Sequence, residues 1–402
     1  MGGFSEDKRI NTAVKRIRRT DEVSKKQLKA KERFEAVAVS GKLETEHELE
    51  RTYKVKQSDL RNQVDLGSQF KLFDFKLPGG PFSLLPSLNG RHLLSYSSSG
   101  HVSVMDRHQM TALSDFTVNE VVTAGALLSE EMVAVAQRKY SYIYSTNGSE
   151  VHCLRDSMQT GVRFLEYLPF HYLLAGLNET GKLTYVDVSI GKQIAQISTA
   201  QGSPQCMTQS SGTGLLMSGH TNGCVSVWQP TMKTPALKLL SHFGNVTALA
   251  VHPLNPHLLV TSGQDMKLKI WDIRNVDKVV SQSSLSGRPA SSIHISQSGM
   301  LAVGFGCRVG VYDSQIFRSN QPVYMTHMMP GEIVNSVRFC PFEDLLLVGS
   351  TRGIQSMLVP GSGSAQIDSF AHNPFETKKQ KRETQVRSLL EKLPVSSINF
   401  TL

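Results

Sequence analysis

The feature that most constrains this chain is an internal repeat. Seven segments share one pattern: an apolar run, a small or polar turn, then an alternating stretch ending in an aromatic or aliphatic residue and often Asp. They end at Asp106, Ser145, Asp187, Gln229, Asp272, Asp313 and Val359, so successive ends lie 39, 42, 42, 43, 41 and 46 residues apart. LLVTSGQDMKLKIWD, ending at Asp272, is the most complete copy; the other six are degenerate, and their shared register carries the argument.

A period near 42 residues with room for four short strands is the signature of a WD-repeat β-propeller. A single four-stranded blade cannot bury both of its faces, whereas blades packed around a ring can. Residues 67–370 number 304, which suits seven blades and predicts an all-β ring of seven. In the fifth unit His242, Ser262, Asp265 and Trp271 stand where WD repeats keep the hydrogen-bond network that ties a blade together. Closing the ring requires a strand from the far end of the chain. FKLFDFKL, Phe70 to Leu77, alternates suitably and is the expected closing strand; AQIDSF, Ala365 to Phe370, competes for the place.

Flanking the ring are a partly helical N-terminal arm, residues 1–66, and a helical C-terminal extension, residues 371–402. Their charge differs from that of the body: residues 1–66 carry a net +4, residues 67–370 a net +2 and residues 371–402 a net +3, making up the total of +9. Eleven Lys and Arg lie between Lys8 and Arg33 against only Asp21, Glu22 and Glu32. Basic ends on a near-neutral body point to a polyanion held by tails, although a solvated terminus gives the same charge run. The candidates for RNA contact are Lys8, Arg9, Lys15, Arg16, Arg18, Arg19, Lys25 and Lys26 in the arm, and Lys378, Lys379, Lys381 and Arg382 in the extension. Lys15–Arg19 and Lys378–Arg382 also read as nuclear-localisation boxes. Residues 21–39 look helical, with a thin apolar face of Leu28, Phe34 and Val37 that would order only against a partner.

In the extension, Asn373 is the expected N-cap, Pro374 the first helical residue and Glu376 the capping-box acid. Pro394 stops the helix, giving about 19 residues, a rod of roughly 28 Å. Val386, Leu389, Leu390 and Leu393 recur at helical spacing, with Phe375 on the same face. That apolar face is covered either by the ring or by another protein.

No catalytic constellation emerges. The 13 histidines show no paired metal spacing, and the five cysteines form no Cys-x-x-Cys pair. Gly304-Phe-Gly-Cys-Arg-Val-Gly310 lies inside a repeat and does not open a helix, so it reads as a tight turn. Aspartates closing the repeats read as turn residues. No cofactor, metal or small-molecule substrate is expected, and the chain is not expected to be an enzyme. Nor does any apolar stretch approach eighteen uncharged residues, which predicts a protein that is neither secreted nor membrane-bound.

The flanks resemble one family. Glu50-Arg-Thr-Tyr-Lys-Val-Lys-Gln57, then Val64-Asp65 and the strand through Phe73-Asp74, are similar to the segment that precedes the propeller in the nucleolar WD-repeat family numbered seven among the U-three small nucleolar RNA-associated proteins. Asn373-Pro-Phe-Glu-Thr-Lys-Lys-Gln-Lys-Arg-Glu383, followed by Val386, Leu389-Leu-Glu-Lys-Leu-Pro394 and Ile398, resembles the C-terminal extension that defines it. The resemblance implies a non-catalytic scaffold of the small-subunit processome, working in the nucleus and nucleolus. It implies association with pre-rRNA, the U-three small nucleolar ribonucleoprotein and other WD-repeat proteins of that particle. Two other readings stay open. Trp271-Asp-Ile-Arg274 matches the WD-x-Arg box of substrate receptors of cullin-type ubiquitin ligases, and a propeller of this kind can also read peptides at its channel.

Overall fold

The computed structural model describes residues 12–25, 41–45, 50–158, 161–285, 287–317, 322–364 and 373–400. Seven four-stranded antiparallel sheets are arranged as seven blades. Their first strands are Phe82–Pro86, Val122–Leu127, Val162–Leu168, Pro204–Gln209, Val246–Val251, Ser292–Ile295 and Val334–Phe339. Each first strand touches the first strand of the next blade, and the seventh touches the first, so these strands form a closed inner ring around an axial channel.

Burial explains the pattern of the repeat. The second strand of each blade is enclosed between neighbouring blades and reads as an unbroken apolar or small-residue run; Leu173–Asn178 is buried at all six positions. The outermost strand borders solvent and reads as mostly polar, as in Lys192–Ser198. Every repeat end falls within one residue of the end of a third strand: Asp106, Ser145, Asp187 and Asp272 end theirs, while Gln229, Asp313 and Val359 follow Trp228, Tyr312 and Leu358.

The N-terminal strand closes the ring. Asp74–Lys76 pairs antiparallel with Gly353–Leu358, with Asp74 opposite Gln355 and Lys76 opposite Gly353, and becomes the outer strand of blade 7. Phe73 locks the approach: its N–H donates to Ser356 Oγ at 2.8 Å, and the Ser356 N–H returns to its carbonyl at 2.9 Å. Gly353 is required here, because a Cβ on it would sit 1.9 Å from the Phe75 carbonyl oxygen. The strand is shorter than expected, since Leu66–Phe70 is a helical turn whose Gln69 amide donates to the Arg61 and Val64 carbonyls. The competing segment 365–370 lies outside the described residues. A partly buried ion cluster seals the same seam. Arg107 of blade 1, only 2% exposed, donates to Glu343 of blade 7 at 2.6 Å, and Lys71 meets the other Glu343 oxygen at 2.7 Å.

The blade 5 network needs one correction. His242 Nδ1 lies 2.9 Å from Asp265 Oδ1, but His242 Nε2 lies 2.8 Å from Thr261 Oγ1, and Trp271 Nε1 donates to that same hydroxyl at 3.2 Å. Thr261, not Ser262, is the central member. Trp271 stands opposite Leu259, and in a strand the residue two positions further on shares its face. Ser262 points to the other face, towards the Thr247 hydroxyl. Blade 4 repeats the tryptophan–hydroxyl pair but takes its histidine from another position: Trp228 Nε1 donates to Ser218 Oγ at 2.9 Å, which meets His220 Nε2, two residues on in the same strand, at 2.8 Å.

At the N-terminus, residues 12–25 are helical. The described helix therefore already spans the basic box Lys15–Arg19 and does not start at residue 21, and residues 26–39, with Leu28, Phe34 and Val37, lie outside the described residues.

Candidate nucleic-acid and partner interface

In an antiparallel blade the turn after the first strand and the turn after the third lie at the same end. Both flanking segments are laid across that end of the ring. The aspartates that finish the third strands do act as turn residues: Asp106 accepts the His108 N–H at 3.0 Å, Asp187 the Ser189 N–H at 2.9 Å and Asp272 the Arg274 N–H at 3.0 Å. Three of them also anchor what lies above. Asp313 binds Lys42 at 2.7 Å, Asp187 binds Lys392, and Asp106 holds Arg91, which donates to the Pro374 carbonyl at 3.0 Å. Burial works against the charge of Asp187 and Asp313, but their lysines and the neighbouring serine groups outweigh it and hold both carboxyls below the usual range.

The N-terminal segment covers blades 6 and 7. The Leu43 N–H donates to the Tyr324 hydroxyl at 2.8 Å, while the Gln57 side chain both accepts from the Leu358 N–H and donates to the Leu358 carbonyl, each at 2.9 Å. Leu60, on the short helix Gln57–Gln63, is buried against Met300, Met325, Leu345 and their neighbours.

The C-terminal extension crosses blades 1 to 4. Its helix runs from Lys378 to Leu390, 13 residues and not about 19. Thr377 is the N-cap, in a capping box with Gln380, whereas Asn373 makes a local turn by accepting the Phe375 N–H at 2.9 Å. The helix lies on the ring by its polar side. Lys381 meets Glu130 at 3.1 Å and Glu131 at 3.0 Å in blade 2; Ser388 Oγ lies 2.5 Å from the Tyr172 hydroxyl in blade 3. Beyond the helix, the Leu393 N–H donates to the Phe170 carbonyl and the Phe400 N–H to Gln229 Oε1, and Ile398 is fully buried in the core shared by blades 3 and 4.

The apolar face expected to seek cover is therefore the outward one. Val386, Leu389 and Leu393 are exposed, as is Leu390 at 83%. Phe375 precedes the helix and does not share this face; its ring lies 5.2 Å from that of His108, and it too is exposed. Of the basic candidates, Lys15, Arg16, Arg18, Arg19 and Lys25 are exposed along the helical residues 12–25, and Lys378, Lys379 and Arg382 are exposed on the C-terminal helix. Lys381 is a correction: it is turned to the ring and occupied by two carboxylates. Lys8, Arg9 and Lys26 lie outside the described residues. The residues that the sequence did not single out are the anchors Lys42 and Lys392 and the burial of Ile398. The one available signal was Ile398, an isolated apolar residue beyond a helix-ending proline.

Among the described residues, no group of three His, Cys, Asp or Glu side chains is placed to hold a metal, and no helix is long and apolar enough to cross a membrane. Arg274 of the WD-x-Arg box is exposed but held by both oxygens of its own Asp272, at 3.2 and 3.0 Å, which accounts for the pair within the turn.

Comparison with known proteins meets this geometry at two places. The WD domain, G-beta repeat matches residues 233–272, the outer strand of blade 4 and the first three strands of blade 5, and the BING4CT (NUC141) domain matches residues 323–401, from the last strand of blade 6 through the extension. U3 small nucleolar RNA-associated protein 7 of Saccharomyces cerevisiae is 37% identical over 98% of this chain and 74% of its own length. WD repeat-containing protein 46 is 41% identical in Homo sapiens, over 87% of this chain, and 36% identical in Caenorhabditis elegans, over 89%. This chain spans 57% and 60% of those two relatives. Striatin-3 of Rattus norvegicus matches over only 25% of the chain, as expected where blades alone are shared. With a ring closed from its N-terminal side and an extension strapped across four blades, the chain belongs to the WD-repeat family of U3 small nucleolar RNA-associated protein 7 and WD repeat-containing protein 46.

Proposed function

We propose that this chain is a non-catalytic scaffold of the small-subunit processome, needed for its assembly and for processing pre-rRNA towards the small-subunit rRNA. The observation that carries the reading is the orientation of the C-terminal helix. A helix that spends its polar side on its own ring and turns Val386, Leu389 and Leu390 outward, with Leu393 exposed just beyond its end, offers an apolar contact to a neighbouring protein. Exposed Lys378, Lys379 and Arg382 flank that contact, and the basic helical residues 12–25 add a second cationic element. The partners are pre-rRNA, the U3 small nucleolar ribonucleoprotein and other WD-repeat proteins of the particle; the place of action is the nucleolus. The names of the relatives support this assignment.

Deleting residues 373–402 tests it in cells. The truncated ring should accumulate but cease to sediment with pre-ribosomal particles; continued co-sedimentation would refute the role given to the extension. A second test addresses the arm. Without regular aromatic interleaving, its contacts should be to phosphates, so affinity should depend steeply on salt and weakly on sequence. If about half of the eleven cations engage single-stranded RNA, the slope of log K against log salt should be about −4, at −0.7 per phosphate. Replacing Lys15, Arg16, Arg18 and Arg19 with Ala should flatten the slope alike for unrelated RNAs.

A further inference from the structure

The end of the ring opposite the anchors of the extensions carries an apolar group that the fold does not use. That end is formed by the turn after each second strand and by the segment leading into each first strand. At the seam of blades 4 and 5 it presents Leu240 at 59%, Phe243 at 85% and Met266 at 44% exposure. Leu240 ends the outer strand Leu237–Leu240 of blade 4, and Phe243 lies in the loop from there into Val246–Val251. Met266 closes the turn between Leu258–Gly263 and Lys267–Asp272. Loop and turn are tied on both sides of Phe243: His242 Nδ1 lies 2.9 Å from Asp265 Oδ1, and the Gln264 N–H donates to the Asn245 carbonyl at 2.8 Å. A Cβ on Gly244 would stand 3.7 Å from that of Gln264.

Met266 is held in the left-handed region, at φ +57°. The residue before the third strand is a glycine in blades 1, 3 and 4, where Gly100, Gly181 and Gly223 have φ +96°, +79° and +76°. In this region a Cβ crowds the backbone, so a long side chain here is kept although it strains the turn. Met110 and Tyr172 share the conformation, and each uses its side chain within the chain: Met110 packs on the core between blades 7 and 1, and the Tyr172 hydroxyl meets Ser388. What the fold takes from Met266 is its backbone, whose carbonyl accepts the Leu285 N–H at 2.8 Å; its side chain joins none of the buried clusters of blades 4 and 5.

The charge around this group has one sign. Lys238, on the same face of its strand as Leu240, and Lys267, next to Met266, are both exposed, as is Arg288 in the following loop. Among the described loops, turns and strand ends of blades 4 to 6 at this end, the one acid is Asp265, and it is taken by His242. Leu240 and Met266 offer no ring on which a base could stack, whereas a methionine adapts its shape to an apolar side chain. From this arrangement we infer that the seam of blades 4 and 5 is a docking site for a segment of another protein that carries Asp or Glu around an apolar anchor. The anchor seats on Leu240, Phe243 and Met266, and the acids meet Lys238 and Lys267. The inference goes beyond the assembly role given to the extensions, whose anchors lie at the other end of the ring.

The test puts the photoreactive analogue benzoylphenylalanine in place of Phe243 in the full chain, in cells, and identifies the cross-linked peptides by mass spectrometry after nuclease digestion. They should fall on one short stretch of another protein in which Asp and Glu outnumber Lys and Arg. The yield should drop about tenfold when Lys238→Glu and Lys267→Glu are combined, because attraction becomes repulsion, and about tenfold in Met266→Gly. The purified Met266→Gly chain should melt no lower than its parent, because glycine adopts this φ without strain. Lost contact with undiminished stability marks a side chain kept for a partner; a melting temperature lower by several degrees would return Met266 to the fold and overturn the site. Cross-links to RNA, to a second copy of this chain or to a basic stretch would also overturn it, as would their absence or a yield indifferent to the lysine variants. Co-sedimentation of the chain without residues 373–402 is a separate measurement, so the assembly role and this contact fail separately.

Discussion

The two flanking segments lie on the same end of the ring, yet they are held by different physics. The N-terminal segment enters the fold: Asp74–Lys76 is a strand of blade 7, Phe73 and Leu60 are buried, and Lys71 completes a partly buried ion cluster with Glu343 and Arg107. The C-terminal extension is strapped on from outside, by ion pairs at Lys381 and Lys392, hydrogen bonds at Ser388 and Leu393, and one fully buried apolar residue, Ile398. The first is part of the core and the second a detachable strap. Blade 7 lacks its outer strand until Asp74–Lys76 joins it, whereas the strap adds contact to a ring that is already closed.

The largest effect should therefore come from the closing strand. Phe73→Ala removes a side chain packed on Phe82, Leu93 and Leu347, and should cost about 3–5 kcal/mol. Chemical denaturation of the purified ring measures it, and a cost below about 1 kcal/mol would break the distinction between core and strap. Ile398→Ala comes next. Loss of a buried Ile side chain costs about 2–5 kcal/mol, and here it should be charged to docking: limited proteolysis should cut the extension readily while the ring keeps its melting temperature within a few degrees. A ring that unfolded with Ile398→Ala would place the extension in the core.

Acid should weaken an anchor of each segment, Asp313 with Lys42 and Asp187 with Lys392. Asp187 and Asp313 have carboxyls held below the ordinary value near 3.9, so their anchoring is complete above about pH 4 and is lost as pH falls through the lowered folded value. Protease sensitivity of the extension should stay flat from pH 8 to 5 and rise only below about pH 4. A release centred near pH 6 would show that some other group controls docking. The smallest effect belongs to Lys381→Met. Partly exposed ion pairs contribute at most about 1 kcal/mol, so the extension should loosen slightly and the Phe73 measurement should not move.

The order of legibility follows the same division. The repeat ends at Asp106 through Val359 locate seven third strands to within a residue, because a blade buried between neighbours must repeat its apolar run. The closing strand was legible for the same reason, although its first residues belong to the turn Leu66–Phe70. The helix start was misplaced from Thr377 to Asn373 because two overlapping capping signals lie four residues apart, and local sequence does not rank them. Thr261 stands where the repeat pattern led to Ser262, because the motif gives a residue type and only the register with Trp271 fixes the face.

What the sequence determined by itself is periodic: seven blades, a strand to close them, and a helix with an apolar and a basic side. Tertiary structure decided which side faces where. Nothing near Lys381 in the chain announces Glu130 and Glu131, and nothing near Lys392 announces Asp187; those carboxylates reach the helix only when blades 2 and 3 stand beside each other. A repeat encodes the faces of its own elements, whereas the pairing of one face with another depends on charges that folding brings together from hundreds of residues away.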